Sequence, residues 1–196
     1  MKRISILFTA VFAVFVFVSA VKAQNSFTVG TKLEDFKLAD IGSKELAFNN
    51  MKGKNGAVLI FLSAQCPVVK GYNERINQIA ADYQAKGIAF IGINSNVTES
   101  LEWVKSDAAQ VGYKFPVLID KGNVLADKLG ATVTPEVYFF DEKNVLLYHG
   151  AIDNDRSGKN VSENILRNAF DAKLVGKAIA KTKSNAFGCT IKRVEK

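Results

Sequence analysis

The sequence feature that most constrains the fold is a continuous apolar run that ends abruptly at a polar turn and a proline. Residues 57–62 read Ala-Val-Leu-Ile-Phe-Leu, Ser63 follows, and Cys66-Pro67 stands shortly after it. A short run without polar alternation is typical of a strand buried on both faces of a partly parallel sheet. Apolar residues then recur at helical spacing to about Lys86, so we expect this buried strand to lead into a long helix.

Strand and helix patterns alternate along the rest of the chain, which predicts an α/β fold with parallel strand pairs. The expected strands are 36–38, 46–48, 57–62, 88–93, 117–119, 136–141 and 145–149. The expected helices are 67–86, a segment capped by Thr98, 124–129 and 165–174. The turn at 141–144 is too short for a crossover, so the last two strands should form an antiparallel hairpin. The pattern therefore predicts a mixed sheet with helices on both faces.

The first residues indicate a secretory signal. Two basic residues precede an apolar run at 4–18, and Val21-Lys22-Ala23 offers small residues at the positions that a signal peptidase reads. We predict a signal peptide at residues 1–23 and one domain at 24–196, exported to a periplasm or secreted. A membrane anchor is the alternative, but the run is short for the roughly 20 residues that span a bilayer. No stable membrane anchor is expected after cleavage.

The net charge and the small number of Cys and His residues indicate which partners and metals are not expected. The formal net charge is +7, and part of it leaves with the signal peptide. The basic residues near the chain end lack the interleaved aromatics of a nucleic-acid surface, so no nucleic-acid partner is expected. Cys66, Cys189 and His149 are widely separated in sequence, which makes a structural zinc site unexpected, and no metal is assigned.

Cys66 is the residue expected to carry chemistry. It precedes Pro67 at the predicted start of a helix, where free amide groups and the helix dipole stabilise a thiolate. Lys70 would add a cation one turn further on. The alternative is a buried, inert cysteine. His149 could serve as a base for a cysteine hydrolase, although a strand histidine is more commonly a packing or surface residue, and Trp103 is expected in the core.

Cys189 is the second cysteine of the chain. In an oxidising compartment an even number of cysteines suggests a disulfide. Pairing with Cys66 would require Cα atoms about 4.4–6.8 Å apart, which the sequence does not determine. Cys189 is therefore a resolving cysteine, a permanent staple, or an unpaired or intermolecular thiol.

Several separated motifs give the chain a resemblance to a known family. Cys66-Pro67-Val68-Val69-Lys70 is similar to the C-x-x-C-K site of thioredoxin, with Val69 in place of the second cysteine. The other motifs are Gly53-Lys54, 93–96, 133–141, 148–155 and 186–192. Together they resemble the peroxiredoxin-like branch of the redoxin superfamily, which includes alkyl hydroperoxide reductase and thiol-specific antioxidant proteins.

The resemblance implies a thioredoxin-like mixed sheet flanked by helices on both faces, with an N-terminal β-hairpin. It also implies a cis Thr134–Pro135 bond in a loop that faces Cys66 and offers backbone pairing groups to a substrate chain. From the residues alone, Pro135 would be an ordinary trans proline at a strand start. Pro67 and Lys70 are expected to tune the thiol, and no cofactor is implied.

The chain departs from this family at the positions that define a peroxidase. A peroxiredoxin carries its reactive cysteine where Val69 stands, preceded by a proline and a threonine at the places of Leu62 and Cys66. Because the chain has no C-x-x-C, a two-electron cycle needs Cys189, a substrate thiol or a second protein.

We predict an exported thiol–disulfide oxidoreductase of redoxin type, with Cys66 as the nucleophilic thiolate and Cys189 as its resolving or stapling partner. Its partners would be protein thiols and disulfides or a hydroperoxide, together with an external thiol reductant. Two alternatives stay open. One is a one-Cys thiol peroxidase, and the other is a non-catalytic thioredoxin-fold binding module that keeps a Cys66–Cys189 staple.

Overall fold

A computed structural model describes residues 27–195, which form a seven-stranded mixed β-sheet with helices on both faces and a separate two-stranded sheet. The strands are β1 Lys37–Asp40, β2 Glu45–Ala47, β3 Ala57–Leu62, β4 Ala89–Asn94, β5 Val117–Ile119, β6 Val133–Thr134, β7 Glu136–Phe140, β8 Leu146–Gly150 and β9 Cys189–Thr190. The helices are α1 Phe48–Met51, α2 Pro67–Gln84, α3 Leu101–Val111, α4 Val124–Leu129 and α5 Ile165–Leu174, and a 3-10 turn precedes α4.

The seven-stranded sheet has the order β2-β1-β5-β4-β3-β7-β8. Strands β3, β4 and β5 are parallel to one another, and β7 joins β3 in the antiparallel direction. The short turn after β7 returns the chain as β8, and β1 and β2 form a hairpin. The predicted α/β class, the N-terminal hairpin and the closing hairpin are confirmed.

Strand β3 divides the core, because its side chains point alternately to the two faces of the sheet. On one face Val58, Ile60 and Leu62 belong to a cluster that includes residues of α2, α3 and α5. On the other face Leu59 and Phe61 pack with residues of α1 and α4. Burying each of these large side chains stabilises the fold by about 1.5–3 kcal/mol. The continuous apolar run therefore reflects a strand that is covered on both sides.

Two predictions about α3 were wrong. Ser100, not Thr98, is the N-cap residue, and its Oγ accepts a hydrogen bond of 3.2 Å from the amide of Trp103. Trp103 is 56% exposed, whereas Val104 and Ala108 are the buried residues of this helix. The indole lies outside the narrow inward stripe that those two small side chains form.

The two-stranded sheet of β6 and β9 was not predicted. It joins Val133 to Thr190 and Thr134 to Cys189 in antiparallel register, so the end of the chain lies against the loop before β7. The predicted signal peptide, residues 1–23, lies outside the described residues. Within residues 27–195, none of the helices combines the length and apolar character needed to cross a membrane.

Candidate active site

The site is centred on Cys66, at the carboxyl end of β3. Residues 63–65 form a short loop after the strand, and Cys66 is the N-cap residue of α2 in an extended backbone conformation. Pro67 occupies the first helical position, as predicted, and is exposed. Because the first amide groups of a helix lack carbonyl partners, the sulfur lies where a negative charge is stabilised. Cys66 itself is only 2% exposed.

Cys66 forms a disulfide with Cys189, and the two Cα atoms are 5.9 Å apart. This distance lies within the ordinary range for disulfides. The bond links residues that are 123 positions apart and ties the chain end to the centre of the sheet. Cys189 is half-buried and therefore more open to solvent than Cys66. The pairing that the sequence left open is present in the structure.

The loop before β7 completes the site from the opposite side. The Thr134–Pro135 peptide bond is cis, as the resemblance implied. The carbonyl oxygen of Thr134 lies 3.4 Å from the Sγ atom of Cys66, and Thr134 is 1% exposed. The loop thus faces the sulfur directly, and the backbone of Thr134 pairs with Cys189.

Glu99 holds the loop before Cys66, a role that the sequence analysis missed. Its carboxylate accepts hydrogen bonds from the amides of Ala64 (3.0 Å) and Gln65 (3.1 Å) and from the Ser63 hydroxyl. The Ser63 Oγ in turn accepts a bond of 3.1 Å from the amide of Cys66. Glu99 lies 33 positions after Cys66 in the sequence. Its carboxylate thereby fixes the three consecutive residues that precede Cys66.

Asn94, at the end of β4, supplies a fourth donor to Glu99 through its Nδ2 atom at 2.6 Å. This side chain ties the carboxylate to the central sheet, so the loop is positioned by the parallel strand next to β3. Glu99 follows the end of β4 by a few residues, and an acidic residue at such a position does not form a recognisable sequence motif. The asparagine at the strand end was the only sequence hint, since it belongs to the motif at 93–96.

Glu136 supports the cis-proline loop in a similar way. Its side chain is buried, and its Oε2 atom accepts hydrogen bonds from the amides of Thr132 (2.8 Å) and Val133 (3.2 Å). Burial alone would raise the pKa of this carboxyl, but bonds from His149 and from those two amides bring the pKa below its usual value. The charge therefore stays on Glu136 and fixes the loop that faces Cys66.

His149 is a packing residue with a defined partner. Its Nε2 atom bonds to Glu136, and its ring stacks on Tyr138 with the ring centroids 4.2 Å apart. The expectation that this histidine serves packing, and not as a hydrolase base, agrees with these contacts.

Lys70 begins the second turn of α2 and is exposed. Its amide donates to the carbonyl oxygen of Cys66 at 3.1 Å, which is an ordinary helical bond. The charge of Lys70 acts on Asp107 of α3, whose pKa is raised by burial and lowered in part by this lysine. Its predicted influence on the thiol stays a prediction.

In the described part of the chain, no three His, Cys, Asp or Glu side chains are grouped to hold a metal ion.

Sequence comparisons find similarity to a known protein family and to characterised relatives. A sequence model of the AhpC/TSA family matches residues 29–149. The thiol-disulfide oxidoreductase ResA of Bacillus thuringiensis (strain Al Hakam) is 28% identical over 119 residues, which are 61% of this chain and 67% of that protein.

Solved structures extend the likeness to most of the chain. A hypothetical protein of Sinorhizobium meliloti 1021 is 36% identical and superposes with a TM-score of 0.80, over 88% of this chain and 98% of that one. A putative thiol:disulfide interchange protein DsbE of Chlorobium tepidum has a TM-score of 0.62 at 21% identity, over 76% of this chain and 99% of that one. This last likeness is one of fold, and it confirms the predicted thioredoxin-like architecture.

Proposed function

The chain belongs to the AhpC/TSA family of the thioredoxin superfamily, as the sequence motifs predicted, and from this premise we propose that it exchanges disulfides with protein thiols through Cys66 and Cys189. The family and its ResA relatives identify the chain as an oxidoreductase of the thiol–disulfide kind. The single observation that carries the proposal is the disulfide between the N-cap sulfur of α2 and Cys189.

In the reduced chain, the Cys66 thiolate attacks one sulfur of a substrate disulfide. A bond forms between Cys66 and that sulfur, and the other substrate sulfur leaves as a thiolate. Cys189, as a thiolate, then attacks the Cys66 sulfur, releases the second substrate thiolate and forms the Cys66–Cys189 bond. The substrate has gained two electrons and the chain has lost two. The same steps in reverse oxidise a substrate dithiol.

An external thiol reductant returns the chain to its reduced form. Cys189 is the more exposed of the two cysteines, so the reductant attacks its sulfur and Cys66 departs as the thiolate. A leaving group at a helix N-terminus has a lowered pKa, and a lower pKa makes departure faster. A second thiol of the reductant then resolves the mixed disulfide on Cys189.

Exchange with a small disulfide tests this function. Reduced wild-type protein, freed of reductant, is mixed with an excess of a chromogenic aromatic disulfide, and release of the coloured thiolate is followed. We expect wild-type protein to release two equivalents rapidly as the Cys66–Cys189 bond forms, Cys189→Ser to release one rapid equivalent and stop as a mixed disulfide, and Cys66→Ser to lose the rapid phase. Equal slow rates for all three proteins would contradict the proposal.

A permanent staple in a binding module is the second candidate, and the low exposure of Cys66 favours it. Titration with reduced and oxidised dithiothreitol, read by mass spectrometry after thiol alkylation, separates the two. A disulfide in exchange with the reductant within minutes in the folded protein supports catalysis. A disulfide that opens only in denaturant supports the staple. Reduction of peroxide by Cys66 stays a prediction.

Export is also part of the proposal. Residues 1–23 would be removed as a signal peptide and residues 24–196 would act as one domain in an oxidising compartment, where the disulfide is stable. N-terminal sequencing of the mature protein from a bacterial host tests this, and we expect the chain to begin at Gln24. A mature protein that retains Met1 would contradict it.

A further inference from the structure

The end of the chain binds across the active site as an extended strand. The amide of Ile191 donates to the carbonyl oxygen of Thr132 at 2.9 Å, which continues the ladder between β6 and β9. Further on, the carbonyl oxygen of Lys192 accepts a bond of 3.1 Å from the amide of Val97. Residues 187–194, called the tail here, thus lie between the cis-proline loop and the loop that follows β4.

Asparagine side chains complete the backbone contacts of the tail. The Oδ1 atom of Asn96 accepts from the amide of Lys192 at 3.0 Å, and that of Asn123 accepts from the amide of Val194 at 2.9 Å. Both asparagines are buried. The contacts described so far involve backbone atoms of the tail, and such contacts suit any extended polypeptide.

Two positions close to Cys189 add a sequence requirement. The Ile191 side chain is 2% exposed and belongs to the apolar cluster beneath β3. Gly188 lies so close to the carbonyl group of Thr134 that a Cβ atom would overlap it. The groove therefore accepts a glycine just before the cysteine and an aliphatic residue two positions after it.

Ser184 anchors the chain just before the tail. The Oγ atom of Ser184 lies 2.7 Å from the Tyr148 hydroxyl and accepts from the amide of Ala151 at 2.9 Å. Residues 185 and 186 then connect Ser184 to the tail without a helix or strand. This arrangement allows the tail to detach while the chain before it stays in place.

We propose that the tail is a tethered occupant of a polypeptide-binding groove, loosened when the Cys66–Cys189 bond is reduced so that a partner can displace it. The groove then takes an extended segment of a partner protein with the pattern Gly-Cys-x-aliphatic, in the antiparallel register that the tail now uses, and this places the partner's cysteine at Cys66. The inference rests on the proposed function, since Cys66 must exchange disulfides for the segment to react.

A tethered strand competes strongly with a partner. A short flexible link gives an effective concentration on the order of millimolar, so a partner reacts well only when the tail is loosened. The disulfide therefore sets the resting state, and its reduction opens the groove to the substrate.

Peptide disulfides test the groove in the full-length Cys189→Ser variant, where Cys66 is the single thiol. The probe peptide has the sequence of residues 185–194, with its cysteine bonded to nitrothiobenzoate. The Cys66 thiolate attacks the peptide sulfur, a Cys66–peptide disulfide forms, and nitrothiobenzoate leaves as a coloured thiolate. One control peptide keeps Gly-Cys-Thr and permutes the outer residues. Two further peptides each carry one substitution, Ile191→Ser or Gly188→Ala.

We expect the native peptide to react at least about tenfold faster than the permuted peptide, with the two substituted peptides near the permuted rate. Adding Ile191→Ser to the protein should loosen its own tail and speed the native peptide severalfold, whereas Val175→Ser, an exposed aliphatic change outside the tail, should not. The comparison between peptides uses only the Cys189→Ser protein, so it stays informative even if the protein that also carries Ile191→Ser fails to fold.

Equal rates for all peptides, with Cys66 still reactive toward a small aromatic disulfide, would overturn the groove and leave the proposed function standing. A Cys66 that reacts with neither peptides nor the small disulfide would overturn the proposed function itself. The two failures are therefore distinguishable in one experiment.

Discussion

At the scale of single residues, the position of Cys66 depends on a carboxylate that does not touch its sulfur. Glu99 receives four hydrogen bonds, of which three come from residues 63–65. Bonds to a charged acceptor each contribute about 1.5–3 kcal/mol, and donors left without their acceptor cost a comparable amount. Glu99 is therefore a positioning residue for the thiol.

Glu99→Gln should lower the free energy of unfolding of the oxidised protein by about 1–3 kcal/mol, because a neutral amide cannot accept from the whole set of donors. Urea unfolding measures the change. Glu74→Gln, at an exposed position of α2, is the matched control and should stay within about 0.5 kcal/mol. Equal stability of both variants would show that the loop does not need this carboxylate.

Glu136 gives the protein a specific acid sensitivity. Its pKa is lowered in the folded state, so its contribution is fully present above the unfolded value of about 4.3 and is lost as the pH falls through the lower folded value. In Glu136→Gln, stability should be lower at neutral pH and should fall less steeply below about pH 4. Urea unfolding at several pH values checks this, and parallel pH profiles would contradict it.

At the scale of elements, the long patterns were predictable and the short pairings were not. Strand β5 and helices α4 and α5 have the predicted bounds, since each has a clear apolar pattern and a clear stop. Strands β6 and β9 have two residues each, which is too short for any periodicity, and they meet only because the disulfide and the loop bring distant segments together. The sequence singled out Cys66, Cys189 and Pro135, which the structure brings together, whereas the contacts of Glu99 with the loop before Cys66 appear only in the fold.

Reduction should loosen the tail while the sheet stays intact. In hydrogen exchange on reduced protein, the amides of Ile191, Val194 and Val97 should exchange at least about tenfold faster than in oxidised protein, because their acceptors belong to the pairing between tail and groove. Amides of β3 serve as the internal control and should not change. Equal protection of the tail in both states would mean that the disulfide does not govern its docking.

At the scale of the whole molecule, the disulfide closes a loop of most of the described chain. Cys66 and Cys189 are 123 positions apart, and cross-links across loops of about 100 residues stabilise by up to about 4.7 kcal/mol through the unfolded state. The redox state is thus coupled to the stability of the fold as well as to the site.

Cys189→Ser should therefore unfold at lower denaturant than the oxidised wild type, with a loss of up to about 4–5 kcal/mol. Comparison with reduced wild-type protein controls for the loss of the side chain itself, and the two should nearly coincide. A variant as stable as the oxidised protein would show that the cross-link contributes little to the folded state.

The most direct measurement of the central claim is the pH dependence of Cys66 alkylation in the Cys189→Ser protein. A thiol at the N-terminus of α2 should titrate about one pH unit or more below the value of about 8.5 for a free cysteine, because the helix end stabilises the thiolate. A rate that rises only around pH 8.5 or above would contradict an activated Cys66 and leave the disulfide as a structural cross-link.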